Sequence, residues 1–581
     1  MWVFLRLGGE AERKAHQAFD PKISPLLQHV GNSLFFLRNT ITITVLRANA
    51  SMSVALGFSL RCMPARLAAR LDLVRLELGW NRGTICSQAH YSRRRWAGTK
   101  TTQATDRRSA CTWLTTTPEQ LSSEDILSSF PTELSRSTLD YIPVLLFTPA
   151  FAQWADAQGT FFEQCLSRLY QKTSDRLPQL PIHAVCAVID RLPHYAREHN
   201  AFGESEGISI ILARRDDIQG KAATPRQIRL AETEEPTLLF SFREDIRDQS
   251  LRQPAHEIGL RLANTIFLNG KENTLFGTRC AYDTSSRRLK LEKSVDLSTC
   301  SVMMRPNSIR SSLDLPLYPV GERRKVISSM GNILRQVAKR ADGKSDESMP
   351  ASSELEKVLP RYISENDIAD RRVTVWALIE KTEKSPYAKS NHSQSSLEEA
   401  IQNGAKLHRV MSGGGGWGKK QGLLSLDPEM SFGELREEDI KPLHRLLSMD
   451  EVDSAYEAAR PPELPMFLQD LSKLSQAAEP GDYVQFFASV AERELYSNSS
   501  ISKREFSGNA VSCCFGVMSD ADMLSSHTVG HKNLTVVPNH FGALSEKAIT
   551  YLQPLAEAKS DTFETHTKVD VPGSRLALIL E

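Results

Sequence analysis

Short apolar runs recur along this chain, and each is bounded by polar or turn residues. Tyr141–Phe147 reads YIPVLLF, His183–Ile189 HAVCAVI, Ile208–Ala213 ISIILA and Arg372–Glu380 RVTVWALIE. Runs of this length suit strands buried on both faces. None approaches the roughly 18 apolar residues that a membrane-crossing helix requires. Further strands are expected at Thr237–Phe242, Gly259–Leu268, Thr274–Tyr282, Leu289–Val295, Tyr483–Val490, Val511–Met518, Leu534–Val537 and Arg575–Ile579. Helical spacing is read over Phe151–Tyr170, Ser396–Gly404, Ile440–Met449 and Val452–Arg460. It is also read over Gly321–Arg340, where Val326, Ile327, Met330, Ile333, Leu334 and Val337 fall on one side. The opening strand–helix–strand order predicts an α/β or α+β fold, with mixed sheets and packed helices in two lobes.

Charge divides the chain. Residues 1–95 carry 14 Lys/Arg and 5 Asp/Glu, a balance of +9, so the remainder of this +1 chain is −8. The run from Met63 to Trp80 spaces Arg66, Arg70 and Arg75 among Leu67, Leu71, Val74 and Leu78. That pattern forms a basic, acid-poor amphipathic helix, the feature mitochondrial import reads. The run His90-Tyr91-Ser92-Arg93 is similar to the Arg-Tyr-Ser ends of fungal presequences, although no Arg directly precedes Tyr91. A basic tail or nucleic-acid arm is the alternative reading. The organisation expected is a mitochondrial targeting region over 1–98, a linker over 99–135 and an α/β lobe over 136–342. A linker over 343–370 and a C-terminal α+β lobe over 371–581 follow. Residues 1–51 read either as an upstream extension that import tolerates or as a gene-model extension, since Met52 and Met63 are also plausible starts.

The densest local feature is Ser412-Gly413-Gly414-Gly415-Gly416-Trp417-Gly418-Lys419-Lys420. Four successive glycines make backbone N–H groups accessible, and two lysines follow, so the loop suits phosphate. Trp417 would stack on a base or anchor the loop. Gly413, Gly418 and Lys419 satisfy the first part of a P-loop, but Lys420 stands where a Ser or Thr should hold Mg²⁺. The block resembles the glycine-rich loop of ATP-grasp enzymes, which lies between two strands. That resemblance implies ATP and Mg²⁺ as cofactors held by Gly413–Lys420. A packed or partner-contacting hairpin without cofactor is the other reading. The wider block from His408 to Glu429, HRVMSGGGGWGKKQGLLSLDPE, resembles a signature of large fungal mitochondrial proteins. It implies a mitochondrial setting and transfers no activity to any residue.

Other motifs fall short. Gly203-Glu204-Ser205-Glu206-Gly207 fits G-x-S-x-G, but a strand follows where a nucleophile elbow needs a helix. His256-Glu257 lacks a second His, since Leu260 stands in its place. Cys514, His527 and His531 have finger-like spacing, but Cys513 adjoins Cys514, so in a strand their side chains diverge and no zinc is expected. The nine cysteines show no C-x-x-C and read as small buried hydrophobes. The −8 balance argues against a broad nucleic-acid surface, leaving only local clusters such as Arg323-Arg324-Lys325. The functional expectation is a matrix factor without catalysis, supporting mitochondrial gene expression or respiratory-complex assembly through a protein partner. The alternative is an ATP-dependent enzyme of ligase or kinase type.

The targeting reading has a direct test. N-terminal sequencing of protein isolated from mitochondria should begin between Tyr91 and Thr115. Recovery of intact Met1 or Met52, or a cytosolic location, contradicts it.

Overall fold

Tyr141–Phe147 explains the architecture in miniature. Val144 and Leu146 enter one apolar core, while Leu145 and Phe147 enter another on the opposite face. Ile182–Val188 divides the same way, with Val185 and Ala187 on one side and Ala184 and Cys186 on the other. Side chains alternate along a strand, so a strand with a core on each face must be apolar at every position.

The computed structural model describes residues 110–131, 140–170, 181–196, 201–223, 236–244, 256–271, 273–286, 288–341, 347–369, 371–381, 391–413, 422–428, 440–448, 477–490, 510–519, 534–552 and 567–581. All belong to one compact unit. The expected targeting region up to residue 98, including Met63–Trp80, lies outside the described residues, as does Val452–Arg460.

Three sheets make up the described fold. The largest runs in the order Leu534–Pro538, Ala110–Thr115, Ala201–Arg214, Tyr141–Phe147, Ile182–Val188, Leu275–Asp283, Arg288–Met304, Thr237–Phe242, His256–Arg261, Ile549–Leu552, Thr567–Val569. Helix Thr160–Leu169 covers one face through Phe161, Phe162, Cys165, Leu166 and Leu169. It connects Tyr141–Phe147 to Ile182–Val188, which pair in parallel. A sheet of Ile309–Asp314, Arg575–Leu580, Val511–Val517 and His540–Ser545 shares the core on the other face.

The third sheet closes on itself. Arg324–Met330, Ile333–Ala338, Leu424–Leu426, Lys406–Gly413, Val373–Glu380 and Tyr483–Val490 form a six-strand barrel, the last pairing with the first. Val375, Ala377, Ile379, Val484, Phe486 and Ala488 fill its interior. Trp376 and Leu378, on the outer face of the same strand, pack into the large shared core.

The expectation of an α/β or α+β fold with helices packed in two lobes is therefore corrected. The described region is mostly β, 52% strand against 18% helix, and a closed barrel stands where a helix-packed lobe was expected. The physical reason is clearest at Gly321–Arg340, which is a hairpin of Arg324–Met330 and Ile333–Ala338 rather than a helix. Gly331, at φ 59°, starts the two-residue turn between Met330 and Ile333. Its left-handed conformation suits glycine and the twist of a tight hairpin. Register shifts within the hairpin break simple alternation, so its apolar residues mimic helical spacing. The expected linkers also carry structure: Ala110–Thr115 and helix Ser123–Ser128 in the first, helix Ser352–Glu365 in the second.

Burial of histidine gives the fold a pH signature. His183 is enclosed opposite Arg279, and neither ring nitrogen has a hydrogen-bond partner. Burial, followed by Arg215, Arg279 and His444, pushes its pKa down to about 4. Burial does the same to His256 and His540, each to about 4. The unfolded chain binds these protons near pH 6.5, so stability is full above that pH and is lost as pH falls toward 4. Each histidine contributes up to about 3 kcal/mol to that loss. Urea unfolding at pH 7 and pH 4.5 should show a lower midpoint at the acid end, and His183→Gln should flatten the difference. An equal slope in the variant contradicts the assignment.

Candidate functional site

The glycine block joins two neighbouring barrel strands. Gly413 ends Lys406–Gly413 and pairs with Leu424, the first residue of Leu424–Leu426. A Cβ on Gly413 would overlap the Leu424 side chain. At the returning end Gly422 has φ 84°, and a Cβ there would lie 2.7 Å from the Pro350 ring. The Gly422 carbonyl accepts the Ser352 N–H at 3.2 Å. Thus both glycines at the hairpin base are needed for close approach, and the base is seated where helix Ser352–Glu365 begins. Met411, Ser412 and Gly413 are exposed. Of the sequence-selected residues, Gly413 is placed; Gly414, Gly415, Gly416, Trp417, Gly418, Lys419 and Lys420 lie outside the described residues.

The Arg323-Arg324-Lys325 cluster is not an open basic patch. Arg323 Nε donates to Glu380 at 2.5 Å, and its guanidinium lies 3.8 Å from the Tyr483 ring centroid. The second Glu380 oxygen meets His392 Nε2 at 2.9 Å. Burial alone would raise the Glu380 carboxyl, but the His392 and Arg323 hydrogen bonds outweigh it and hold it below the usual range. Arg324 turns to a different set: Glu354 and Glu322, each at 2.9 Å, and the Lys339 carbonyl at 2.6 Å. Arg324 opens the strand Arg324–Met330 and Arg323 precedes it, and the two adjacent arginines go to separate carboxylates.

Gly203–Gly207 lies inside the long strand Ala201–Arg214, so it forms no elbow. Sequence reasoning missed what surrounds it. Ser205 Oγ lies 2.9 Å from Nδ1 of His194, on the partner strand Leu192–Ala196. Gly203 faces the His194 ring, and a Cβ there would overlap its Cε1. The adjacent Glu204 is committed elsewhere: its Oε1 accepts Arg575 Nη2 at 2.8 Å, the Ser519 N–H at 2.7 Å and the Ser519 hydroxyl at 2.9 Å. Arg575 also donates to the carbonyls of Val517 at 2.5 Å and Ser574 at 2.9 Å. Burial, then the charge of Arg575, lowers the His194 pKa, and Glu204 opposes them. A serine–imidazole contact is present, but Ser205 is buried and the neighbouring carboxylate serves Arg575. The arrangement ties the hairpin to Arg575–Leu580 and Val511–Val517. In the sequence Glu204 stands in the polar run Gly203–Gly207 and Arg575 at the head of RLALIL, so neither residue marked the pair.

His256 also serves packing, with Nδ1 3.0 Å from the Tyr551 hydroxyl. Cys513 enters the large core, and both Cys513 and Cys514 are buried. Burial pushes the Cys514 thiol up to about 11, with Arg575 opposing. His527 and His531 lie outside the described residues. Among the described residues no group of three or more His, Cys, Asp or Glu is placed to hold a metal ion. Comparison with protein-family models, curated proteins and solved structures returns no match.

The Glu204–Arg575 pair gives a measurable expectation. Removing one partner leaves a buried charge unmatched, at a cost of about 3–5 kcal/mol, whereas removing both relieves part of it. Arg575→Met and Glu204→Gln should each lower the urea midpoint, and the double variant should be more stable than the sum of the single losses allows. Strict additivity contradicts the coupling.

Proposed function

We propose that the chain is a non-catalytic mitochondrial matrix factor that supports mitochondrial gene expression or respiratory-complex assembly by holding a protein partner. The observation that carries this reading is the use, among the described residues, of buried charged and polar side chains. Arg323, Arg324, Arg575 and Lys568 are buried against carboxylates, and Ser205–His194 bridges two strands. These groups hold strands together. The basic N-terminal region supports import, and the −8 balance of the remainder disfavours a broad nucleic-acid face. No helix among the described residues is long and apolar enough to cross a membrane.

A second reading attaches to the Gly413–Lys420 segment, because its flanks are adjacent strands, the setting that the ATP-grasp resemblance implies. On that reading the loop covers the phosphates of ATP with Mg²⁺, and the chain is an ATP-dependent ligase or kinase.

One set of variants separates the two. If the hairpin is a contact surface, Gly414→Ala with Gly415→Ala should impair respiratory growth more than Lys419→Ala, because the new Cβ atoms alter the backbone. If phosphate charge matters, the ranking reverses, and Mg²⁺-ATP should raise the melting temperature of the wild type but not of Lys419→Ala/Lys420→Ala. Full growth with all four substitutions combined contradicts both readings.

A further inference from the structure

Open sheet edges carry unpaired backbone groups, and among the described residues several edges are covered. The barrel has none, being closed. On Ile309–Asp314, the outermost strand of the four-stranded sheet, the N–H groups of Ile309 and Leu313 donate to the carboxylates of Glu244 at 2.9 Å and Glu398 at 3.0 Å. At its other side the Leu544 N–H donates to the Arg191 carbonyl at 2.9 Å. At one end of the large sheet, the Thr567 hydroxyl donates to the Ala405 carbonyl of the barrel at 3.3 Å.

The opposite end differs. Leu534–Pro538 pairs with Ala110–Thr115 on one side, and among the described residues nothing pairs with its outer side. The Asn539 N–H donates to the Ala110 carbonyl at 3.0 Å. Antiparallel alternation then turns the backbone of Val537 and Thr535 toward Ala110–Thr115, and that of Leu534 and Val536 outward. Pro538 falls in the outward set, where a missing N–H disturbs no internal bond. The five residues, LTVVP, carry none of the charges that usually blunt an edge. Leu534 and Val536 are only half-buried against the core around Trp113. Phe130 lies 4.7 Å from the Trp113 ring, centroid to centroid, and is also half-buried.

We propose that the outer edge of Leu534–Pro538 receives an extended segment of a protein partner as an added strand, whose alternate apolar side chains cover Leu534, Val536 and Phe130. The unpaired backbone in strand geometry selects an extended chain, and the apolar lip selects its side chains. A second copy paired about a two-fold axis is disfavoured by area. Five residues a side bury far less than the roughly 800 Å² per partner of a stable dimer, but suit a peptide. The inference rests on the edge alone and is independent of the glycine hairpin.

The probe is a short synthetic peptide of alternating Val and Thr ending in Lys, used with the full chain. In the free protein the Leu534 and Val536 amides should exchange hydrogen quickly, and those of Thr535 and Val537 slowly. Saturating peptide should slow the first pair about tenfold or more. Val536→Pro removes one outward N–H without breaking the ladder to Ala110–Thr115, and should weaken peptide binding about tenfold or more with little change in melting temperature. If that variant melts early, Leu534→Pro, in the same outward set at the start of the strand, takes its place. Slow exchange of Leu534 and Val536 in the free protein overturns the proposal, since another segment then covers the edge. So does absence of saturable peptide binding, binding unchanged by the proline variants, or a dimer in sedimentation that those variants dissolve.

Discussion

One barrel strand, Val373–Glu380, packs against the large core, and the fold depends on how it is buried. Its inward residues fill the barrel; its outward Trp376 enters the large core, fully enclosed. An enclosed indole must place its N–H, and Trp376 Nε1 donates to Asp570 at 2.8 Å. Asp570 in turn meets Lys568 Nζ at 3.1 Å, and Lys568 also binds Asp427, which follows the barrel strand Leu424–Leu426. One aromatic side chain thus commits a carboxylate and an ammonium, and the three connect barrel and sheet. Replacing Lys568 by an apolar residue would leave the enclosed Asp570 carboxylate without this cation, which costs more than the pair itself contributes.

The short strand Lys441–Pro442 and the helical turn Leu443–Leu446 show how a small element is held on the sheet face. Gly277, on Leu275–Asp283, makes room for Leu443, since a Cβ would lie 2.8 Å from its Cδ1. Lys293 Nζ donates to the Ser448 carbonyl at 2.9 Å. A cation at the carbonyl end of a helical turn is favourable in both charge and hydrogen bonding. Leu443 and Leu447 are enclosed beneath the turn. The turn therefore needs no helical length of its own; the sheet supplies its stability.

What was legible in the sequence follows from the same physics. YIPVLLF, HAVCAVI and RVTVWALIE announce strands because a core on each face requires an unbroken apolar run. The strand, amphipathic helix, strand order around Thr160–Leu169 was legible too, and its two strands pair in parallel. The barrel was not. Leu424–Leu426 is three residues long, and the Arg324–Met330 hairpin has register shifts that scatter its apolar residues into a helical spacing. Closure is a property of pairings between distant strands, such as Tyr483–Val490 with Arg324–Met330, and no local pattern encodes it. At the candidate site, the glycines marked a hairpin that needs close approach, as Gly413 against Leu424 illustrates. The chemistry of the surrounding charges was not legible, because Arg323 and Arg324 look like surface until Glu380 and Glu354 are placed against them.

Those internal charges bear on how a mostly β chain reaches one register. A strand slipped by one residue turns every side chain to the opposite face. Apolar strands with a core on each side resist such slips weakly, since either face accepts Val, Leu or Ile. Arg575 breaks that symmetry in Arg575–Leu580. In register it meets Glu204, 371 residues away in sequence, and the carbonyls of Val517 and Ser574. Displaced by one residue, its guanidinium would face the core containing Leu576 and Leu578, with no carboxylate opposite. Thr112 and Ser209, direct cross-strand partners whose hydroxyls lie 2.7 Å apart on the core side, act the same way between Ala110–Thr115 and Ala201–Arg214. The buried polar pairs add little net stability to strands this apolar; what they add is a large penalty for every other alignment, which is how the same sequence rejects its near neighbours in register.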